Sequence, residues 1–205
     1  MEKLPIRNKN IRKLLPSKNA FASLVRSIIY QQLSGKAAAS IEKKFFALFD
    51  AAVANKKSKF GTVIASKFPK PEEVLKLTDA QFQSVGVSAQ KRGYLRDLAA
   101  KFLDGTIVPR KFPKMRGDEI REHLIAVKGI GRWTADMFLI FALNRPNVLP
   151  LGDLGIKKGF QKAFKLRTLP DEKKMLRLAA DYEGAHTQLS LYLWHILDNA
   201  GDNAW

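Results

Sequence analysis

The sequence contains no cysteine, only three histidines, and little more than half as many acidic as basic residues. Without cysteine there can be no disulfide, no thiolate-bound zinc and no cysteine-ligated iron–sulfur cluster. His123, His186 and His195 fall at no metal-ligand spacing, so neither metal nor cofactor is expected. No apolar run approaches the roughly eighteen residues of a membrane span, and the opening MEKLPIRNKNIRKLLPSKN lacks the apolar stretch of a secretion signal. A soluble intracellular chain with no membrane partner is the expectation. Also missing are internal repeats, low-complexity tracts, coiled-coil heptads and any sustained period-two alternation of the kind a sheet requires.

What is present is positive charge and helical periodicity. Against 19 Asp and Glu stand 36 Lys and Arg, a formal net charge of +17. Such a surface favours a polyanionic partner, nucleic acid foremost, although ribosomal, chromatin and anionic-membrane proteins share the property. The cluster Arg7, Lys9, Arg12 and Lys13 suits nuclear import, DNA contact or a solvated basic flank. The 205 residues, 46% of them hydrophobic, are enough to bury a core as one domain or as two intimate lobes.

Apolar residues recur at helical spacing in nearly every segment, which predicts an all-α fold. Ser23 to Gln32 places Leu24, Val25, Ile28 and Ile29 on one side. A polar joint at Ser34-Gly35 then leads to a second helix with Ala38, Ile41, Phe45 and Leu48 inward. Thr62 to Ile64 is ambiguous. Pro71, Glu72 and Glu73 fit the first turn of a helix. Gly86 is a candidate left-handed cap, and Ser88 a candidate N-cap for the helix after it. The polar, proline-containing stretch Asp104 to Met115 is read as the crossing between two halves.

The window from Asp118 to Phe160 carries the most information. One helix is predicted to end near Val127, Gly129-Ile130-Gly131 to form a hairpin, and a second helix to run from Arg132 to about Leu143. Glycine on either side of the hairpin leaves room for close backbone approach, and the helix after it presents N-terminal N–H groups. A phosphate fits there, with Lys128 and Arg132 supplying charge and Ile130 plugging back between the helices. An ordinary helix-to-helix turn capped by glycine would give the same pattern. Asp153 follows about twenty residues later, after Leu149-Pro150 and Gly152, at the start of a basic helix.

Taken together, LIAVKGIGRWTADMFLIFAL and LPLGDLGIKKGF resemble the hairpin and catalytic loop of the helix-hairpin-helix (HhH-GPD) DNA glycosylases, in particular the alkylbase or 3-methyladenine branch and its yeast alkylbase glycosidase-like members. RSIIYQQLSGKAAASIEKKF resembles the upstream segment of that family, and VGVSAQKRGYLRDLA its middle helix pair. The resemblance implies an all-helical, two-lobed fold with a lesion cleft between lobes, one at about 20–110 and one at about 111–205 joined by the N-terminal segment. It implies a monomer that acts on double-stranded DNA containing alkylated bases or abasic sites. The expected location is the nucleus in a eukaryote and the cytoplasm otherwise.

Residue by residue, the resemblance makes Asp153 the catalytic carboxylate; a simple N-cap is the other reading, and the two are compatible. Trp133 stands where lyase-active relatives carry a nucleophilic lysine, which implies hydrolysis by water without strand cleavage. Trp133 and Trp194 are implied to line the base pocket, although core packing would explain an indole at either position. The turn Gln31-Gln32-Leu33-Ser34-Gly35-Lys36 corresponds to the loop that fills the gap left by an extruded nucleotide, with Gln32 or Leu33 as wedge and Ser34 facing the minor groove. Lys36, Lys128, Gly129, Ile130, Gly131, Arg132, Thr134, Lys157 and Lys158 complete the implied DNA contacts, and Lys162, Lys165 and Arg167 extend the positive surface or sit in water.

Three positions depart from the family pattern. Gly184-Ala185-His186-Thr187 replaces a Pro-aromatic-Arg-Ser stretch, Gly152 replaces a second acid or larger residue, and Ser34 stands where some yeast relatives carry histidine. These departures bear on turnover more than on DNA binding. They leave open a catalytically weak or silent module for abasic or distorted DNA, beside the alkylbase glycosylase. A structural helix-hairpin-helix protein is the third reading, and Asp153 counts against it.

Overall fold

The computed structural model describes residues 4–6, 14–17, 19–49 and 68–198. Thr62 to Ile64 and the cluster Arg7, Lys9, Arg12, Lys13 lie outside the described residues. Among the described residues all regular structure is helical, with ten α-helices and no strand. By its internal contacts the chain forms two compact units, Ser17–Thr134, and Met1–Pro16 with Ala135–Trp205.

In the Ser17–Thr134 unit, α1 (Ala20–Tyr30) begins earlier than its apolar pattern indicated, because Asn19 accepts the Ala22 N–H at 2.9 Å and caps it. Its predicted apolar face is wholly buried. It ends where Gln31 leaves helical geometry and Gln32 takes φ +56°. Ser34 then caps α2 (Gly35–Ala47). Both helices contribute to an ion pair at a fully buried carboxylate: Glu42 accepts from Arg26 Nε at 2.6 Å and from the Tyr30 hydroxyl at 2.7 Å. Burial and the Glu42 carboxylate push the Tyr30 phenol up to about 12.

α3 (Pro71–Leu75) opens on proline as expected, and α4 (Asp79–Ser84) closes at Gly86, which adopts φ +86°. α5 (Ala89–Leu103) starts from Ser88, whose hydroxyl accepts the Lys91 N–H. α1, α3 and α4 all pack on α5. Phe45 and Phe82 stack at 6.0 Å in this core, where each fully buried side chain of that size contributes about 1.5–3 kcal/mol.

The stretch from Asp104 to Met115 contains a 3₁₀ helix (Pro109–Lys114). Its buried Ile107 and Phe112 belong to the same unit as the helices before it, so the division between units falls after Thr134 rather than near residue 110. α6 (Gly117–Ile125) leads into the hairpin, and α7 (Arg132–Met137) out of it. The predicted continuation to Leu143 is present but wound as a π-helix over Phe138–Ala142, with the Leu143 N–H bonded to Phe138 O at 3.1 Å. That winding buries Phe138, Leu139, Ile140 and Ala142 while Phe141 stays exposed.

The second unit is built on α8 (Leu154–Ala163), α9 (Glu172–Ala179) and α10 (His186–Asp198) around Ile156, Phe160, Met175, Tyr182, Leu189 and Leu193. The Leu4 N–H donates to the Tyr182 hydroxyl at 2.6 Å, fastening the N-terminal segment to this core. α8 and α10 meet closely at Gly155 and Gly159, one helical turn apart. A Cβ on Gly159 would stand 2.7 Å from Leu193 Cβ and 2.8 Å from its carbonyl oxygen.

Candidate functional site

The hairpin is shaped by Gly129. Its φ is +81°, and the Tyr94 ring lies so close that any side chain there would overlap it. Ile130 is buried as the plug the sequence suggested, its N–H turned back to Val127 O at 3.0 Å. Gly131 faces open space, and Lys128, Gly129, Gly131 and Arg132 are exposed. The Lys128 N–H is held by the Asp97 carboxylate at 2.8 Å. Thr134, expected at the DNA surface, is 6% exposed, and its hydroxyl lies 3.5 Å from the Gln31 amide nitrogen.

Gln32, Leu33, Ser34 and Lys36 stand exposed on the α1–α2 turn, and Leu33 keeps 40% of its surface in solvent. The turn is fixed from within. The Gln31 side chain donates to Gly129 O at 2.8 Å, and the Lys91 ammonium donates to Ile29 O and Gln31 O at 2.7 Å each. Burial holds the Lys91 pKa below the ordinary lysine value. Between turn and hairpin lies a pocket of about 350 Å³, lined by Gln31, Gln32, Gln90, Lys91, Tyr94, Gly129, Trp133 and Thr134. Trp133 is 45% exposed, which excludes simple core packing for this indole.

In the other unit, Pro150 to Asp153 forms a turn closed by the Asp153 N–H on Pro150 O at 3.0 Å. Asp153 is 3% exposed and caps α8, its Oδ1 accepting the Ile156 N–H at 2.8 Å. The same oxygen accepts the indole N–H of Trp194 at 3.0 Å. A Cβ on Gly155 would come within 3.0 Å of both partners, so glycine there lets indole and carboxylate meet. Phe141 stacks on Trp194 with centroids 5.9 Å apart and ring planes 22° from parallel. Trp194 thus joins the carboxylate directly, which its apolar helical context did not indicate.

The departing segment at 184–187 braces the approach to this carboxylate. The Thr187 hydroxyl donates to Arg145 O and accepts the Val148 N–H, while Ser190 donates to Val148 O at 3.0 Å. His186 sits 3.1 Å from Ala179 O, and His123 lies 2.8 Å from Thr106 O. Lys157 is partly exposed and Lys158 exposed. Lys162 donates to Ile196 O at 2.8 Å, an internal use for a residue expected to extend the basic surface. Gln31, Lys91, Tyr94, Phe141 and the glycine pair on α8 were missed as site residues, since only their partners distant in sequence give them a role.

The Ser17–Thr134 unit thus carries a glycine hairpin with an exposed turn beside it, and the other unit carries a buried carboxylate at a helix start. The family model for HhH-GPD superfamily base excision DNA repair proteins matches residues 25–182. The chain is 30% identical over 181 residues to DNA-3-methyladenine glycosylase 1 of Schizosaccharomyces pombe, covering 88% of this chain and 73% of that one. It is 33% identical over 183 residues to the DNA-3-methyladenine glycosylase of Saccharomyces cerevisiae, covering 87% and 58%. It spans 60% of the length of a Bacillus subtilis relative. The solved S. pombe 3-methyladenine DNA glycosylase in complex with abasic DNA superposes with a TM-score of 0.74 at 29% identity, over 94% of this chain and 88% of that one. With its family model matched across 25–182 and its regular structure helical throughout the described residues, the chain belongs to the HhH-GPD superfamily of base excision DNA repair proteins.

Proposed function

We propose that the protein is a monofunctional alkylbase DNA glycosylase, hydrolysing the N-glycosidic bond of 3-methyladenine- and 7-methylguanine-type lesions and leaving an abasic site. The observation that carries this reading is the buried Asp153 carboxylate, fixed through Oδ1 by two N–H donors. As the bond between C1′ and the base nitrogen breaks, its electron pair leaves with the purine and positive charge grows on the deoxyribose. A purine alkylated at N3 or N7 is already cationic and departs neutral. A carboxylate that needs no reorientation stabilises the developing sugar cation, an effect on the order of 3 kcal/mol for one preorganised group. Water then bonds to C1′, and its proton passes to a base such as Asp153.

Trp133 has no amine and forms no Schiff base, so the product strand stays intact. Its exposed face suits a cationic purine. Gln32 and Leu33 are the wedge candidates, with Ser34 and Lys36 beside them, and the hairpin from Lys128 to Arg132 meets a phosphate. Lys157 and Lys158 add backbone charge, and binding weakens steeply with salt. The protein acts as a monomer, in the nucleus if the cell has one.

The experiment is release of free base from methylated duplex DNA by wild type and by Asp153→Asn. Release by wild type alone, with no borohydride-trapped adduct, is the expected result; wild-type release no greater than buffer sinks the glycosylase reading. A second reading, a silent binder of abasic or distorted DNA, draws on the relative solved with abasic DNA and on the exposed turn. Equal affinity for intact duplex and for duplex with an abasic analogue removes it.

A further inference from the structure

The exposed turn at 31–34 and the hairpin are separated by almost a hundred residues, yet one side chain spans them. Gln31 Nε2 donates to Gly129 O at 2.8 Å, across 98 residues of sequence. Gly129 is in turn pressed against the Tyr94 ring, whose hydroxyl accepts from Gln90 at 2.7 Å. From the other side Lys91, one residue along α5 from Gln90, reaches both Ile29 O and Gln31 O at 2.7 Å, where α1 has run out of its own donors. Beyond this anchor Gln32 holds φ +56°, a left-handed conformation that a non-glycine residue adopts only where its surroundings impose it. The next side chain is the exposed Leu33.

We infer that Gln31 and Lys91 are positioning residues that lock the wedge turn in register with the hairpin, so that hairpin contact with the DNA backbone fixes how far the turn reaches into the duplex. Neither side chain need touch DNA for this. Gln31 sets the spacing between two DNA-contacting loops, and Lys91 holds the backbone carbonyl from which the strained residue springs. A turn free to shift relative to the hairpin would still meet phosphate but would fill an empty base step poorly. Preference for a gapped or abasic duplex over an intact one is the property that depends on the lock. The inference rests on the proposed DNA-binding role of the 31–34 turn.

The test compares binding to an intact duplex and to the same duplex carrying a tetrahydrofuran abasic analogue, by fluorescence anisotropy, with thermal melting in parallel. The variants are Gln31→Met and Lys91→Met, which keep the apolar stems and delete the donors, Lys91→Arg, which keeps charge and N–H groups, and Leu33→Ala. The ratio of the two affinities is expected to fall about tenfold in Lys91→Met, which loses charge-assisted hydrogen bonds, and about fivefold in Gln31→Met, which loses a neutral one, mostly through the abasic duplex, and to recover in Lys91→Arg. A purely structural role would lower both affinities together with the melting temperature and leave the ratio in place, which overturns the inference. If Leu33→Ala loses the preference while both Met variants keep it, the wedge reading stands and the positioning role is rejected. A wild-type chain with no preference removes the wedge reading and the inference with it.

Discussion

The indole N–H of Trp194 donates to Oδ1 of Asp153 at 3.0 Å, onto the oxygen that already accepts the Ile156 N–H at 2.8 Å. Two donors on one oxygen orient the carboxyl plane. The Asp153 side chain is therefore both the cap of α8 and a carboxylate of fixed direction, a geometry compatible with the proposed catalytic role.

Asp153→Asn keeps an amide oxygen for both donors and removes the charge. Its melting temperature is expected to stay near wild type while base release is lost. Asp153→Ala removes the cap as well and costs about 1 kcal/mol or more in stability. Parallel denaturation and base-release measurements decide this; an Asn variant with wild-type turnover would show that the charge is not used.

Trp194→Phe retains an aromatic ring for Phe141 to stack on and deletes the N–H. Losing a hydrogen bond to a charged group is worth about 1.5–3 kcal/mol, so kcat for base release is expected to fall at least tenfold, with a smaller change in KM. A rise confined to KM would place Trp194 in base contact alone.

Gly159→Ala sets a methyl against the Leu193 backbone, and overpacking of that kind costs about 1–3 kcal/mol. Gly155→Ala places its methyl nearest to atoms of the Asp153 and Trp194 side chains, at 3.0 Å. It is expected to lower activity more than stability, in the opposite proportion to Gly159→Ala. Chemical denaturation and single-turnover release on both variants give the comparison; equal loss of stability contradicts it.

Tyr30 supplies a pH prediction. Its phenol has a pKa raised from 10.0 to about 12 by burial and by Glu42. A pKa higher in the folded than in the unfolded state adds stability that is complete below the unfolded value and fades as pH climbs through the folded one. The contribution is thus whole at neutral pH and disappears between pH 10 and 12. Of the four tyrosines, Tyr30 should give the last step in absorbance at 295 nm. A late step that survives in Tyr30→Phe would assign it elsewhere.

The sequence by itself determined the helical class, the hairpin, the cap at Ser88, and Asp153 at a helix start. Each of these rests on local chemistry: apolar periodicity, short polar caps and glycine at a turn are contained within a few consecutive residues. The extent of α1 at its start was misjudged because the Asn19 cap outweighed the apolar pattern. The π-winding after Met137 went unseen because it is imposed by burial of Phe138, Leu139 and Ile140, with no breaker residue to announce it.

Only the tertiary structure decided which side chains meet. Trp194 on Asp153 spans 41 residues, and Gln31 on Gly129 spans 98. It also separated roles that sequence had grouped. Trp133 is half in solvent whereas Thr134, its neighbour, is buried, and the exposed Lys162 donates to the helix carbonyl of Ile196. The physical reason is that a hydrogen bond or a helix contact depends on distance in space, and at Gly155 and Gly159 that distance is set by the absence of two methyl groups whose effect appears only when α10 lies against α8.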